Sequence, residues 1–108
     1  MANAVLVIDM LRGFLEEGYP LYCGERARRI IPNVQRLLEQ ELTQGSKVFF
    51  ICDHHAPDDP EFKMFPPHCI EGTVEAELVP ELAKYKGEVI PKRRFSAFFD
   101  TPLEEKLR

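Results

Sequence analysis

The chain has 108 residues, of which 44% are hydrophobic, and 14 Lys plus Arg against 18 Asp plus Glu give a formal net charge of −4. This is the composition of one small globular domain, and its mild acidity excludes the basic footprint of a protein that binds nucleic acid or an anionic membrane. The apolar runs are too short to span a bilayer, the N-terminus lacks a secretory signal and the three cysteines form no disulfide framework, so we expect a cytoplasmic protein.

The first half of the chain predicts a strand, a connection, a helix and a second strand. The apolar run at 4–9 is typical of a parallel strand covered on both faces, and residues 9–25, punctuated by glycine and proline, predict a long connection. A helix is predicted at about 27–44, with its start anywhere from residue 25 to 32, and the second strand at 47–53. The apolar residues at helical spacing are Ile30, Ile31, Val34, Leu37, Leu38 and Leu42.

The second half of the chain is more irregular. Residues 56–73 are rich in proline and predict a loop, and residues 74–84 predict one short helix or helical turn. A short third strand is predicted within 87–94, ended by Pro91. A last helix is predicted to begin at Thr101, with that threonine as its N-cap and Pro102 as its first residue.

This alternation of strands and helices predicts an α/β fold. We expect a three-layer, doubly wound parallel sheet with right-handed crossovers, of which this chain supplies about three strands. The last helix is predicted to begin only a few residues before Arg108. In addition, three parallel strands make a thin sheet with uncovered edges. We therefore expect residues 1–108 to be the N-terminal portion of a single domain.

Charged or metal-capable residues follow each predicted strand. Asp9 ends the first strand, the segment Asp53-His54-His55 ends the second, and the basic run 92–94, which begins with Lys92, ends the third. Doubly wound sheets bind their ligands at the carboxyl ends of the strands, so a carboxylate and a lysine from neighbouring strands can meet there in a partly desolvated cleft. The alternative is that these charges only cap the strands in solvent.

The Asp53-x-His55 pattern predicts a metal site. Side chains two apart in an extended segment point to the same face, which turns His54 away, and His68 in the following loop is available as a third ligand. One carboxylate and two imidazoles leave positions open for water or substrate, as in catalytic metal sites. Zinc fits this set, and iron or manganese are alternatives. The competing interpretation is a group of ordinary loop histidines.

Four segments together resemble the isochorismatase-like cysteine hydrolases, particularly their nicotinamidase-type branch. They are VLVIDMLRGF, CDHHAPDDPEF, FPPHCIEGTVEAELVPEL and VIPKRRFSAFFDTPLEEKL, and they span essentially the whole chain. The family motifs are an Asp followed by a Phe, an Asp-x-His, a His just before Cys, and a lysine before an aromatic-Ser-Ala/Gly-Phe segment. The matching residues here are Asp9, Phe14, Asp53, His55, His68 and Lys92.

The resemblance implies hydrolysis of a small-molecule amide through a Cys-Asp-Lys triad beside a bound divalent metal. Asp9 would take the proton of the cysteine thiol and pass it to the departing amine, while Lys92 would stabilise the thiolate. Phe14 and Phe65 would line the substrate pocket. Phe65 stands where nicotinamidases commonly carry Trp, and residues 11–13 differ from the usual Gln-Asn-Asp, so the exact substrate stays open.

The family's nucleophilic cysteine follows the lysine at a distance that lies beyond Arg108. Cys23, Cys52 and Cys69 do not match that position. The resemblance therefore implies that this chain alone is inactive and that a complementing C-terminal chain brings the cysteine. It also implies a homo-oligomer, which is usual for the family. Two alternatives remain open: a non-catalytic, truncated metal-binding remnant or interaction module, and an isochorismatase-type hydrolase of another substrate.

Overall fold

Three parallel strands form the centre of the molecule in the computed structural model, which describes residues 3–108. The strands are β1 (Ala4–Ile8), β2 (Lys47–Asp53) and β3 (Glu88–Lys92), and their spatial order is β1-β2-β3. All pairings are parallel, with Ile8 opposite Ile51 and Asp53 opposite Lys92. This confirms the predicted α/β fold with an open parallel sheet, and it brings the carboxyl ends of all three strands to one edge.

Helices and turns connect these strands. Within residues 3–108 the α-helices are α1 (Arg12–Leu15), α2 (Glu25–Arg28), α3 (Ile31–Thr43), α4 (Pro80–Ala83) and α5 (Leu103–Leu107), and 3-10 turns lie at Pro60–Lys63 and Val74–Ala76. Only α3 exceeds two turns, so long stretches of backbone are held by loop hydrogen bonds rather than by regular structure. No helix in this part of the chain has both the length and the apolarity needed to cross a membrane.

One face of the sheet packs against α3. Leu38 and Ile31 of the helix are buried with Val48, Phe50 and Cys52 of β2. The apolar stripe of α3 is narrower than the sequence pattern predicts. Ile30 and Leu37, which carry that pattern, are 45% and 46% exposed.

The other face of the sheet is covered sparsely. Leu103 of α5 packs on Phe49 and Ile51 of β2 and on Ile90 of β3. Ile8 at the end of β1 remains 52% exposed. The prediction that the first strand is covered on both faces is therefore met only in part, because Leu6 of β1 packs against this cluster while Ile8 stays exposed.

Several predicted boundaries are corrected. The helix predicted at 27–44 is two helices, because α2 ends before α3 begins at the residue preceding Pro32. Pro91 does not end the third strand, which continues to Lys92. An edge strand tolerates proline where the missing N–H would face away from the sheet. The segment 74–84 holds a 3-10 turn and α4 instead of one helix.

Two further differences concern short turns inside the predicted loops and the start of the last helix. The long connection after β1 contains the single turn α1, and the proline-rich loop contains the 3-10 turn at Pro60–Lys63. The last helix begins at Leu103 with Pro102 as its N-cap, one residue later than the predicted start at Pro102 with Thr101 as the N-cap. The Thr101 hydroxyl donates to the Ala97 carbonyl at 2.5 Å, so it serves the preceding turn as well as the helix start.

Replacing Leu38 by alanine tests the helix–sheet contact. Because this side chain is fully buried, Leu38→Ala should lower the free energy of unfolding by about 2–5 kcal/mol, as expected for a cavity in a packed core. The neighbouring Leu37→Ala is the matched control and should change it by no more than about 0.5 kcal/mol. Urea unfolding followed by circular dichroism measures both, and equal losses would contradict the packing described here.

Candidate active site and metal centre

A buried lysine joins the ends of the three strands. The Lys92 ammonium donates to Asp53 Oδ1 at 2.5 Å and lies 3.1 Å from Asp9 Oδ2. It also donates to the Arg94 carbonyl at 3.1 Å, which uses its third N–H. The prediction that Asp9 and Lys92 lie close together at the top of the sheet is met by this geometry, and Asp53 shares the same ammonium.

The burial of these charges sets their pKa values. Burial raises the pKa of Asp9, and the neighbouring Asp53 raises it further, against the opposing effect of Lys92. Burial alone would lower the pKa of Lys92, but the hydrogen bond to Asp53 and the two carboxylate charges outweigh it and raise that pKa. Lys92 is only 2% exposed. It stays charged in this buried position because it has two carboxylate partners.

The backbone at Asp9 is unusual and directs its carboxylate. Asp9 has a positive φ of 56°, in the left-handed region that non-glycine residues adopt at a cost of about 1–3 kcal/mol. Its Oδ1 accepts a hydrogen bond from the Asp53 N–H at 3.0 Å. The strained residue is thereby held across the end of β2, with its other oxygen toward Lys92.

The loop after β2 returns to place His68 beside His55. The backbone N–H of His55 donates to the Cys69 carbonyl at 2.9 Å, and the backbone N–H of Glu71 donates to the His55 carbonyl at 2.8 Å. Cys69 has a positive φ of 45°, which turns the chain at this point. The two imidazole rings consequently lie with their centroids 4.7 Å apart.

The three predicted metal ligands meet at one point. His55 Nε2 is 3.5 Å and His68 Nε2 is 3.8 Å from Asp53 Oδ2. His68 Nδ1 lies 2.7 Å from the Pro66 carbonyl, which only accepts, so this nitrogen carries the proton and Nε2 presents a lone pair. His55 Nε2 is buried without a hydrogen-bond partner. Two imidazole nitrogens that face a carboxylate oxygen without a hydrogen bond to it fit a cation, and the donor set suits a divalent metal.

A second group lies on the outer side of His55, and the sequence interpretation missed it. His55 Nδ1 lies 3.0 Å from Asp59 Oδ2, and Glu61 is close enough to complete a possible ligand set. Arg94 already occupies this group, because its Nη1 lies 3.0 Å from Asp59 Oδ2 and 3.3 Å from Glu61 Oε2. A guanidinium in contact with both carboxylates leaves no reason for a metal there.

The carboxyl group of Asp59 has a lowered pKa. Burial alone would raise its pKa, but hydrogen bonds from the Glu61 N–H, from His55 and from Arg94 outweigh burial and hold the pKa at about 2. The available sequence signal was a carboxylate four residues after His55, in a loop, and nothing in the pattern distinguishes it from the exposed neighbour Asp58.

An aromatic cleft opens in front of these groups. It has a volume of about 200 Å³, and five of its lining residues were candidates from the sequence: Asp9, Phe14, Asp53, Phe65 and His68. The Phe14 ring lies 5.9 Å and the Phe65 ring 6.4 Å from the His68 ring. The remaining lining residues are Leu21, Glu61, Arg94 and Phe95, which the sequence interpretation had not assigned to the site. The cleft is smaller than the roughly 300–1,000 Å³ of pockets for drug-sized ligands, so it suits a small molecule.

A larger groove of about 690 Å³ lies at the opposite edge of the sheet. It is lined by the amino-terminal ends of β2 and β3, including Lys47 and Glu88, and by Lys106 of α5. Lys106 is paired with Glu88 at 2.6 Å. The residues with candidate chemistry are all at the other edge, so size alone does not make this groove the site.

The two buried cysteines are poorly suited to attack a substrate. Burial and the nearby carboxylates raise the pKa of the Cys52 thiol to about 12. Burial likewise raises the pKa of the Cys69 thiol well above its ordinary value, and its thiol points to the Glu75 carbonyl at 3.5 Å. Cys23 is exposed and does not line the cleft.

Comparison with known proteins identifies the family. The model of the Isochorismatase domain matches residues 3–108. An uncharacterized isochorismatase family protein of Bacillus subtilis is 35% identical over 100% of this chain and 65% of its own length. A protein of Arabidopsis thaliana named as a probable inactive nicotinamidase is 36% identical over 98% of this chain and 59% of its own length. The chain thus spans about two thirds or less of these relatives, and the family resemblance of the sequence motifs is confirmed.

Solved structures agree with this result. The nicotinamidase of Bacillus subtilis superposes with a TM-score of 0.85 at 37% identity, over 100% of this chain and 65% of that one. The pyrazinamidase of Pyrococcus horikoshii, solved in complex with zinc, superposes with a TM-score of 0.87 at 27% identity, over 100% and 64%.

Alkylation tests the assignment of the cysteines. Brief treatment of the folded chain with iodoacetamide at pH 8 should modify Cys23 alone, because the raised pKa values of Cys52 and Cys69 leave almost no thiolate at that pH. Peptide mass spectrometry reads the sites, and the same treatment in urea should label all three cysteines. Rapid labelling of Cys69 in the folded chain would show that it is a reactive thiol.

Proposed function

Because this chain belongs to the nicotinamidase-type branch of the isochorismatase family, we propose that it carries the proton-transfer and metal-binding part of a cysteine hydrolase for small-molecule amides. The observation that carries the proposal is that Asp9, Asp53 and His68 line one small cleft, while Lys92 contacts both aspartates and His55 completes the possible metal-ligand set. The activity and substrate of the whole enzyme are part of this proposal.

Asp9 is the general base and acid of the proposed reaction. Its side chain is 29% exposed, whereas Lys92 is 2% exposed, so Asp9 is the member of the pair that can meet a thiol in the cleft. It takes the proton of a cysteine thiol as the sulfur attacks the amide carbonyl, then gives that proton to the departing nitrogen. A thioester and free amine result. Water then attacks the thioester as Asp9 accepts its proton, the C–S bond breaks to release the carboxylic acid, and Asp9 returns the proton to the cysteine sulfur.

Lys92 acts through its charge. Its three N–H groups already have Asp9, Asp53 and the Arg94 carbonyl as partners, so a thiolate in the cleft gains from the nearby positive charge without a direct hydrogen bond. A positive charge in a partly desolvated site lowers the pKa of a neighbouring thiol. Lys92 also keeps the two carboxylates in fixed positions.

Asp53, His55 and His68 would hold a divalent metal, with zinc as the first candidate and iron or manganese as alternatives. Lys92 and the two aspartates together carry one excess negative charge, which a cation offsets. When bound, such a metal supplies a Lewis acid beside the cleft and a binding point for a nitrogen of a heteroaromatic substrate.

The shape of the cleft indicates the substrate class. Phe14 and Phe65 bracket His68 at distances typical of aromatic contacts, and Phe65 contacts Phe95 edge-to-face at 6.1 Å. Flat rings fit between such side chains. We therefore propose a small aromatic amide, and nicotinamide is the first compound to test.

The attacking cysteine is proposed to come from outside these 108 residues, on a complementing segment or chain, because the thiols of Cys52 and Cys69 are buried and protonated. The same observation favours a second candidate function, a non-catalytic member that binds metal without turnover. One relative carries the name of a probable inactive nicotinamidase. Metal binding is common to both candidates, and turnover separates them.

Zinc binding tests the metal site directly. The purified chain should bind one equivalent of zinc in competition with a chromophoric chelator. His68→Ala should weaken binding by more than about 100-fold, since even changes behind the ligands cost 10–100-fold. The matched control is His54→Ala, which removes the neighbouring histidine that does not face the site. Equal affinity in all three proteins would exclude the proposed site.

Turnover tests the role of Asp9. In the assembled enzyme that contains this chain, Asp9→Asn should reduce the kcat of ammonia release from nicotinamide by about 10²–10⁴-fold, the contribution of a general acid–base group. Asp100→Asn, the same change at an exposed residue, should leave kcat unaffected. Ammonia release by the 108-residue chain alone, abolished by Cys69→Ser, would show instead that the nucleophile lies within it.

A further inference from the structure

We propose that Asp59, neutralised by Arg94, is a positioning residue that fixes His55 in the tautomer able to bind a metal. This inference rests on the proposed function, because it assigns a role behind one of the proposed metal ligands. Asp59 does not line the cleft and touches no substrate position. Its effect would be transmitted entirely through the imidazole of His55.

The contacts of Asp59 define this role. Its Oδ2 lies 3.0 Å from His55 Nδ1, and its Oδ1 accepts from the Glu61 N–H at 2.8 Å. Both Asp59 and His55 are buried, with side chains 3% and 1% exposed. A carboxylate engaged by the backbone on one oxygen has only the other to offer, so its orientation toward His55 is fixed.

The chemistry of the pair selects one tautomer. An ionised carboxylate only accepts hydrogen bonds, so His55 must carry its proton on Nδ1 to satisfy Asp59. Nε2 is then a bare lone pair, and it is the nitrogen that lies beside Asp53 with no hydrogen-bond partner. A carboxylate behind a metal-binding histidine fixes the ring and raises its basicity in the same way in many metalloproteins.

Arg94 is the counter-ion of Asp59, with its Nη1 3.0 Å from Asp59 Oδ2. The Arg94 guanidinium donates to both oxygens of Asp59, at 3.2 and 3.0 Å, and offsets its charge. The distance from His55 Nε2 to Asp53 Oδ2 is 3.5 Å, longer than the 2.7–3.2 Å of an N–H···O bond, so Nε2 makes no hydrogen bond to that carboxylate.

The substitution Asp59→Asn reverses the tautomer with little change in shape. Its amide oxygen can keep the hydrogen bonds from the Glu61 N–H and from Arg94, which leaves the amide NH₂ facing His55 Nδ1 and removes the Arg94 hydrogen bond to the Oδ2 position. That group donates, so Nδ1 must accept and the proton moves to Nε2. The matched control is Asp58→Asn, the same change at the exposed neighbour.

Nitrogen NMR of the imidazole ring reads this directly in the metal-free chain. Wild type and Asp58→Asn should show His55 protonated at Nδ1, and Asp59→Asn should show it protonated at Nε2. Zinc affinity, by chelator competition, should fall about 10–100-fold in Asp59→Asn and stay unchanged in Asp58→Asn. If Asp59→Asn does not fold, the wild-type spectrum still decides, because a proton on Nε2 there overturns the proposal.

The outcomes separate this inference from the proposed function. Loss of zinc affinity in Asp59→Asn without the tautomer change would overturn it, since the residue would then act only on loop structure. Zinc binding that is lost in His55→Ala but intact in Asp59→Asn would overturn it and leave the metal site standing. An unchanged zinc affinity in His55→Ala would instead contradict the proposed metal site itself, whatever the tautomer of His55.

Discussion

The candidate site depends on one buried interaction, the Lys92 ammonium held between Asp9 and Asp53. A lysine that is 2% exposed is costly to charge unless its partners are in place. Removal of one member of a buried ion pair leaves the remaining charge buried without compensation. Because each of the three residues ends a different strand, this requirement fixes the relative register of β1, β2 and β3 at their carboxyl edge. The strained backbone of Asp9 is tolerated because the Asp53 N–H and the ammonium hold its carboxylate.

That interaction also leaves an excess of negative charge, which favours a cation beside it. Two carboxylates share one ammonium, and the Asp53 oxygen not engaged by Lys92 faces two imidazole nitrogens. The hydrogen bonds on the far sides of both rings, to Asp59 and to the Pro66 carbonyl, direct lone pairs rather than protons toward that oxygen. The polar cluster is therefore satisfied on its outer side and electron-rich on its inner side, which is the arrangement a metal site requires.

The sequence predicted the inner part of this arrangement because simple periodicities govern it. Asp53 and His55 share a face by the alternation of an extended chain, and Asp9 and Lys92 meet because parallel strands end at a common edge. It did not reveal Asp59 and Arg94, whose contact joins residues 35 positions apart through two irregular loops. Local pattern likewise failed at Pro91, where strand pairing continued beyond the proline to Lys92 because the pairing with Asp53 outweighs the local preference.

The distribution of thiols follows from the same electrostatics. A nucleophilic cysteine needs positive surroundings, yet burial, together with the carboxylates that secure Lys92, raises the pKa of the Cys52 thiol. A sulfur that approaches from the open side of the cleft meets the accessible Asp9 carboxylate first and feels the ammonium behind it, while Cys52 lies under the sheet surface among apolar side chains. The geometry thus separates the proposed proton-transfer and metal-binding residues from the position at which a reactive thiol could exist.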